Sequence, residues 1–169
     1  MKRIRLFEFN DQPWYPDAFR CMQTDYLQFV ATRGQGHENL VPLITEAMQR
    51  AGTSEILDLC SGGGGPWARL REQLNDAGWP VSVKLTDKYP NPEAVGAWSE
   101  ASREGIEYLS EPVDARQVPA HLAGMRTLFE GFHHFGPRDA RAILQDAVDG
   151  RASIGIFEAS LKPPFGYLF

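Results

Sequence analysis

Four consecutive glycines, Gly62, Gly63, Gly64 and Gly65, stand between a short apolar run that carries an acid, Ile56-Leu57-Asp58-Leu59, and a segment with helical spacing that starts at Pro66. Backbone without side chains lets a bound molecule approach closely, and the free N–H groups of a helix N-terminus lie just beyond. A carboxylate at such a bend repels a phosphate and attracts a ligand that carries an ammonium group. No Lys-Ser/Thr pair follows the glycines, so the phosphate loop of nucleotide hydrolases is absent. The dinucleotide fingerprint fits only in part: Gly62 and Gly64 match it, but Trp67 stands where the third glycine belongs. Two more acids follow in register. Asp87, next to Lys88, closes the second apolar run, where an acid can accept hydrogen bonds from both ribose hydroxyls. Asp114 and Ala115 follow the third run, placed to read an adenine edge through the carboxylate and the Ala115 N–H. A nucleoside with a cationic amino-acid tail satisfies all three acids, and S-adenosylmethionine is such a molecule. After the fourth run come His133 and His134, side chains that titrate near neutrality and can serve as a general base. Neighbouring residues point in different directions, so at most one of the two faces a substrate.

The elements that must position these residues alternate. Strands are expected over residues 55–59, 81–86, 106–109, 125–129 and 153–157. Between them lie helices over 66–77, 92–103 and 137–148, closed by Gly78, Gly105 and Gly150. A short helical piece is expected over 119–123. Upstream, a helix with Leu40, Leu43, Ile44, Ala47 and Met48 on one face starts at an N-cap, Asn39, and stops near Gly52. A further helix is expected over 17–30, before a break at Arg33-Gly34-Gln35-Gly36. Strands that alternate with helices imply parallel pairing, and right-handed crossovers then lead to a Rossmann-like, doubly wound sheet of order 3-2-1-4-5. Residues 1–36 form an aromatic-rich N-terminal segment, and residues 37–169 form the ligand-binding domain.

The chain has 169 residues, 43% hydrophobic and 23% charged, which suits one globular domain. Its net charge of −5 gives no support for non-specific nucleic-acid binding, and no nucleic-acid partner is expected. Cys21 and Cys60 form no CxxC pair, so they are read as reduced thiols, with no metal site. The basic start, Lys2-Arg3-Ile4-Arg5, is not followed by the apolar stretch of a signal peptide, so a cytoplasmic location is expected.

Taken together, these residues resemble the class I S-adenosylmethionine-dependent methyltransferase family, of the small-molecule type. Asp58-Leu59-Cys60-Ser61-Gly62-Gly63-Gly64 is similar to its acid-x-Gly-x-Gly-x-Gly motif, Asp87 to its ribose-binding acid and Asp114-Ala115 to its adenine step. Glu130-Gly131-Phe132-His133-His134-Phe135 resembles the segment after its fourth strand, which lines the active site. The resemblance covers residues 37–160. It implies S-adenosylmethionine as cofactor, bound by Asp58, Cys60, Ser61, Gly62, Gly63, Gly64, Asp87, Lys88, Asp114, Ala115, Glu130, Gly131 and Phe132, with His133 or His134 as catalytic base. No Asn/Asp-Pro-Pro-Tyr segment follows the fourth strand, which disfavours DNA bases and glutamine side chains as acceptors and favours a small or lipid-like one. Trp14, Tyr15, Phe19, Tyr26 and Phe29 would form an apolar lid or an ordinary packed helix, and Arg33 or His37 would meet the cofactor carboxylate.

Two departures stand out. Cys60 replaces the first motif glycine, which suits a turn residue of negative φ. The family also continues past the fifth strand into an antiparallel hairpin, which is expected to be missing here, either because the sequence is cut short at Phe169 or because this is a reduced variant. An uncovered edge would favour a homodimer, and membrane contact is expected only if the chain continues past Phe169. The rival readings are an NAD-dependent oxidoreductase and a non-catalytic partner subunit that holds the cofactor.

Overall fold

The computed structural model describes residues 12, 14–16, 18–23, 26, 38–101 and 105–158. Five strands form one sheet of order β3-β2-β1-β4-β5, all pairs parallel: β1 Glu55–Leu59, β2 Ser82–Thr86, β3 Ile106–Tyr108, β4 Met125–Phe129 and β5 Ile154–Phe157. The helices are α1 Val41–Ala51, α2 Trp67–Asp76, α3 Pro92–Ala101 and α4 Pro137–Asp149. The strand order is the expected one, and strand limits agree to within a residue. Residues 159–169 lie outside the described residues, as do Phe29, Arg33 and His37, so the expectation about the C-terminal hairpin and those about the three side chains fall outside them too.

Side chains alternate across a strand, so β1 feeds both faces of the sheet. Ile56 joins Ile44, Met48, Trp67, Leu70, Leu74, Val83 and Leu85 in one apolar layer. Leu57 and Leu59 join Val113, Leu128 and Ile143 in the other. Asp58 therefore projects into the first layer, where α2 begins. Thr127 of β4 pairs with Asp58 in register and faces the same side. The sequence thus places a carboxylate inside the core, directly under the glycine bend.

Two local expectations are corrected. Asn39 is not an N-cap. Residues Glu38–Leu40 form a 3₁₀ turn and α1 starts after Leu40 without a side-chain cap, because Pro42 occupies the first turn and sets the helical φ there. Residues 119–123 form no helix but a turn in which Leu122 N–H donates to the Pro119 carbonyl. Residues 18–23 are helical, in agreement with the expected N-terminal helix where it is described. No helix among the described residues is long and apolar enough to cross a membrane.

Candidate functional site

The bend after β1 is built from positive φ angles. Cys60 has φ 59, Gly62 φ 54 and Gly64 φ 113. The Cys60 value overturns the expected negative φ. The chain must reverse between β1 and α2, and Cys60 takes the left-handed conformation that glycine adopts at lower cost.

Asp58 holds this bend from below. It is 1% exposed. Ser61 Oγ donates to Oδ2 at 2.7 Å and Thr127 Oγ1 to Oδ1 at 2.6 Å. Burial raises its pKa to about 6, against the lowering effect of those two hydroxyls. The Trp67 indole N–H also helps to hold the carboxyl down, although it meets no acceptor at full hydrogen-bond geometry and is otherwise an orphaned buried donor. The native carboxyl thus binds a proton more tightly than the unfolded one between about pH 4 and 6, and its contribution to stability falls as pH rises through that window. Asn at this position does not titrate. Stability of Asp58→Asn relative to wild type should therefore rise by about 2 kcal/mol from pH 4 to pH 6.5. Urea unfolding at several pH values checks this, and a flat difference would contradict it.

Asp87 sits just past β2, half-buried, on the other side of the bend. Gly62 N–H donates to its Oδ2 at 2.9 Å and Tyr89 N–H to its Oδ1 at 2.8 Å. Loss of hydration raises its pKa, partly offset by these N–H donors, by that of Lys88 and by the charge of Arg20. A carboxylate offers about four lone-pair sites, so acceptor capacity remains for a ligand hydroxyl. Arg20, from the helical residues 18–23, is 8% exposed and lies 4.3 Å from the Tyr89 ring centroid, stacked on it. Trp14, Phe19 and Tyr26 of the same segment are exposed.

Asp114 is differently engaged. Its Oδ1 accepts from Arg116 N–H at 3.0 Å and from Arg116 Nε at 2.9 Å. Its Oδ2 meets Arg116 Nη2 at 2.6 Å and Lys88 Nζ at 3.2 Å. The guanidinium holds this carboxyl well below the usual carboxylate range. Four donors fill its lone pairs, so a fifth enters only if the exposed Lys88 ammonium moves aside. Ala115 beside it is buried.

The loop after β4 faces the same opening. A Cβ on Gly131 would lie 3.3 Å from the Cys60 Cβ, so loop and bend touch. Phe132–His134 form a 3₁₀ turn. Glu158, just past β5, grips that turn: its Oε1 accepts from Phe132 N–H at 2.7 Å and from His133 N–H at 3.3 Å. Its Oε2 lies 2.7 Å from His133 Nδ1. The His134 ring stands 4.3 Å from that of His133. Glu130 completes a group of two carboxylates and one imidazole whose ligating atoms all lie within 4.8 Å of one another. Sequence reasoning singled out His133 but missed Glu158, for which no local spacing gives a signal. A separate cavity of about 570 Å³ opens at the opposite end of the sheet, beside the Arg126–Asp146 ion pair. In an open α/β sheet the ligand end is the other one, at the C-terminal ends of the strands.

No family model and no curated protein matches the sequence. Solved structures do match in fold. One is the methyltransferase domain of a bacterial Hen1, CtHen1-CN, at 12% identity and TM-score 0.51 over 73% of this chain and 66% of that one. Another is NcsB1, an O-methyltransferase of neocarzinostatin biosynthesis solved with S-adenosylmethionine and 2-hydroxy-5-methyl naphthoic acid, at 16% identity and TM-score 0.55 over 88% and 42%. A third is the methyltransferase CalH in complex with SAH, at 23% identity and TM-score 0.52 over 74% and 37%. The chain thus has the Rossmann-like fold of the S-adenosylmethionine-dependent methyltransferases. It spans 66%, 42% and 37% of the length of these three chains.

Proposed function

We propose that the protein binds S-adenosylmethionine at the bend after β1 and transfers its methyl group to a hydroxyl of a small or lipid-like acceptor. The observation that carries this reading is the bond from Gly62 N–H to Asp87 Oδ2, which joins the glycine bend and a ribose-type acid into one cradle. The donor set fits the cofactor: carboxylates stand at the ends of β1 and β2 and after β3, and no Lys-Ser/Thr pair follows the glycines. The buried indole of Trp67 stands where a dinucleotide site needs its third glycine, which argues against NAD.

S-adenosylmethionine, when bound, supplies a methyl group on positively charged sulfur that a nucleophile displaces directly. The chain's own part is to bind, orient and remove a proton. Gly62, Gly63 and Gly64, with Cys60 and Ser61, offer backbone to the amino-acid end. Asp58 shapes that backbone from beneath and lends it negative potential. Asp87 takes the ribose hydroxyls. Lys88, Asp114 and Ala115 border the adenine, and Glu130, Gly131 and Phe132 border the acceptor side. His133 is the base. Its Nδ1–H donates to Glu158, which leaves Nε2 as the atom that accepts the proton of the acceptor hydroxyl.

Titration calorimetry with S-adenosylhomocysteine and with NAD tests the assignment. Wild type should bind the first and not the second. Asp87→Ala should weaken binding of S-adenosylhomocysteine by about 2–5 kcal/mol, since charge-assisted hydrogen bonds contribute roughly 1.5–3 kcal/mol each. Unchanged affinity in Asp87→Ala would overturn the ribose assignment.

A further inference from the structure

A run of four glycines should be the least ordered part of the molecule, because each fixed glycine costs more backbone entropy than any other residue. Here three successive peptide groups of the run are each tied to a different element. The Ser61–Gly62 group gives its N–H to Asp87 past β2, at 2.9 Å. The Gly62–Gly63 group gives its carbonyl to Tyr108 Oη of β3, at 2.6 Å. The Gly63–Gly64 group gives its carbonyl to Trp98 Nε1 of α3, at 3.0 Å. Tyr108 is 4% exposed, and burial together with nearby Asp87 raises its pKa, so the phenol stays a donor. The Trp98 indole also lies flush against Gly64, so that an added Cβ there would fall among the indole atoms. In a trans peptide the N–H points opposite to the C=O, so the grip of Tyr108 on the Gly62 carbonyl turns Gly63 N–H away from β3.

We propose that Tyr108 and Trp98 are positioning residues that hold the Gly62–Gly64 backbone in its ligand-ready form, and so set the affinity of the site without belonging to its lining. The affinity part of this proposal rests on the cofactor reading above. The ordering part does not. A loop ordered in advance leaves less entropy to lose on binding. Neither residue is in the motif that marks the site, and no spacing rule ties positions 98 and 108 to position 62.

The test has two arms, run on wild type, Tyr108→Phe and Trp98→Phe. Tyr108→Phe keeps the ring and removes only the donor; Trp98→Phe is an independent second probe. In the first arm, amide hydrogen exchange of the ligand-free protein should speed up about tenfold in residues 62–65 and stay as in wild type in the strands. In the second arm, calorimetry should show S-adenosylhomocysteine bound about tenfold more weakly by each variant. Exchange and affinity within twofold of wild type in both variants would overturn the proposal. So would faster exchange spread over the whole sheet with a lowered melting temperature, because that marks general destabilisation. If wild type fails to bind S-adenosylhomocysteine while exchange still rises only in the bend, the clamp stands and the cofactor reading falls.

Discussion

Replacing His133 with alanine is expected to lower kcat for methyl transfer about 10²–10⁴-fold, the usual contribution of a positioned general base. Affinity for S-adenosylhomocysteine should change little, because the His133 ring lies in the β4 loop and not in the glycine bend. Glu158→Gln leaves an oxygen for Nδ1–H but removes the charge that stabilises the protonated ring, so its loss should be smaller. Added imidazole should restore part of the activity of His133→Ala, and should not restore that of Glu158→Gln. Labelled methyl transfer to a panel of hydroxylated aromatic and lipid acceptors provides the measurement. A His133→Ala enzyme with the kcat of wild type would remove the base from the mechanism. His134→Ala serves as the internal contrast, and a larger loss there would transfer the role to that residue.

Gly64→Ala should be the most destabilising small change in the bend, at about 2–6 kcal/mol. Two costs combine. At φ 113 an L side chain is strained by roughly 1–3 kcal/mol, and the new Cβ would collide with the Trp98 indole, an overpacking that costs roughly 1–3 kcal/mol more. Gly96→Ala is the control. It lies in α3 with nothing within 4 Å of an added Cβ, and should gain roughly 0.5–1 kcal/mol from helix propensity. Denaturant unfolding of both variants separates the cases. Gly64→Ala in a Trp98→Ala background should recover part of its cost, the part due to collision, and keep the part due to backbone strain. Full stability in Gly64→Ala would mean that the indole yields freely, which would also weaken the case for its role as a clamp.

The strand order was legible because periodicity and punctuation act locally. Short strands such as Ser82–Thr86, each set off from the preceding helix by a glycine such as Gly78, leave few alternatives once crossovers are right-handed. Asp87 was legible for the same reason, since the end of β2 is a position in sequence. Three features were not. The positive φ of Cys60 follows from how sharply the chain turns, which residue type does not reveal at a non-glycine position. The occupied lone pairs of Asp114 depend on where Arg116 and Lys88 fold back, and charges two residues apart do not declare themselves partners. Glu158 reaches His133 only because β4 and β5 lie side by side, so their loops meet across a gap in sequence. In each case a long-range or dihedral fact decides, and one sequence read for pattern holds no term for it.

The middle place of β1 also governs when the molecule comes together. As a chain leaves the ribosome, β1 and β2 are available to pair early, with α2 between them. The Asp58 carboxyl in that half-built sheet would have Ser61 but not Thr127, whose hydroxyl arrives with β4, 69 residues later. An acid half-satisfied in an apolar layer is costly, so the early half gains little by closing alone. Nascent chains released before β4 should therefore stay open and vulnerable to proteases, and the protected sheet should form as one late, concerted event.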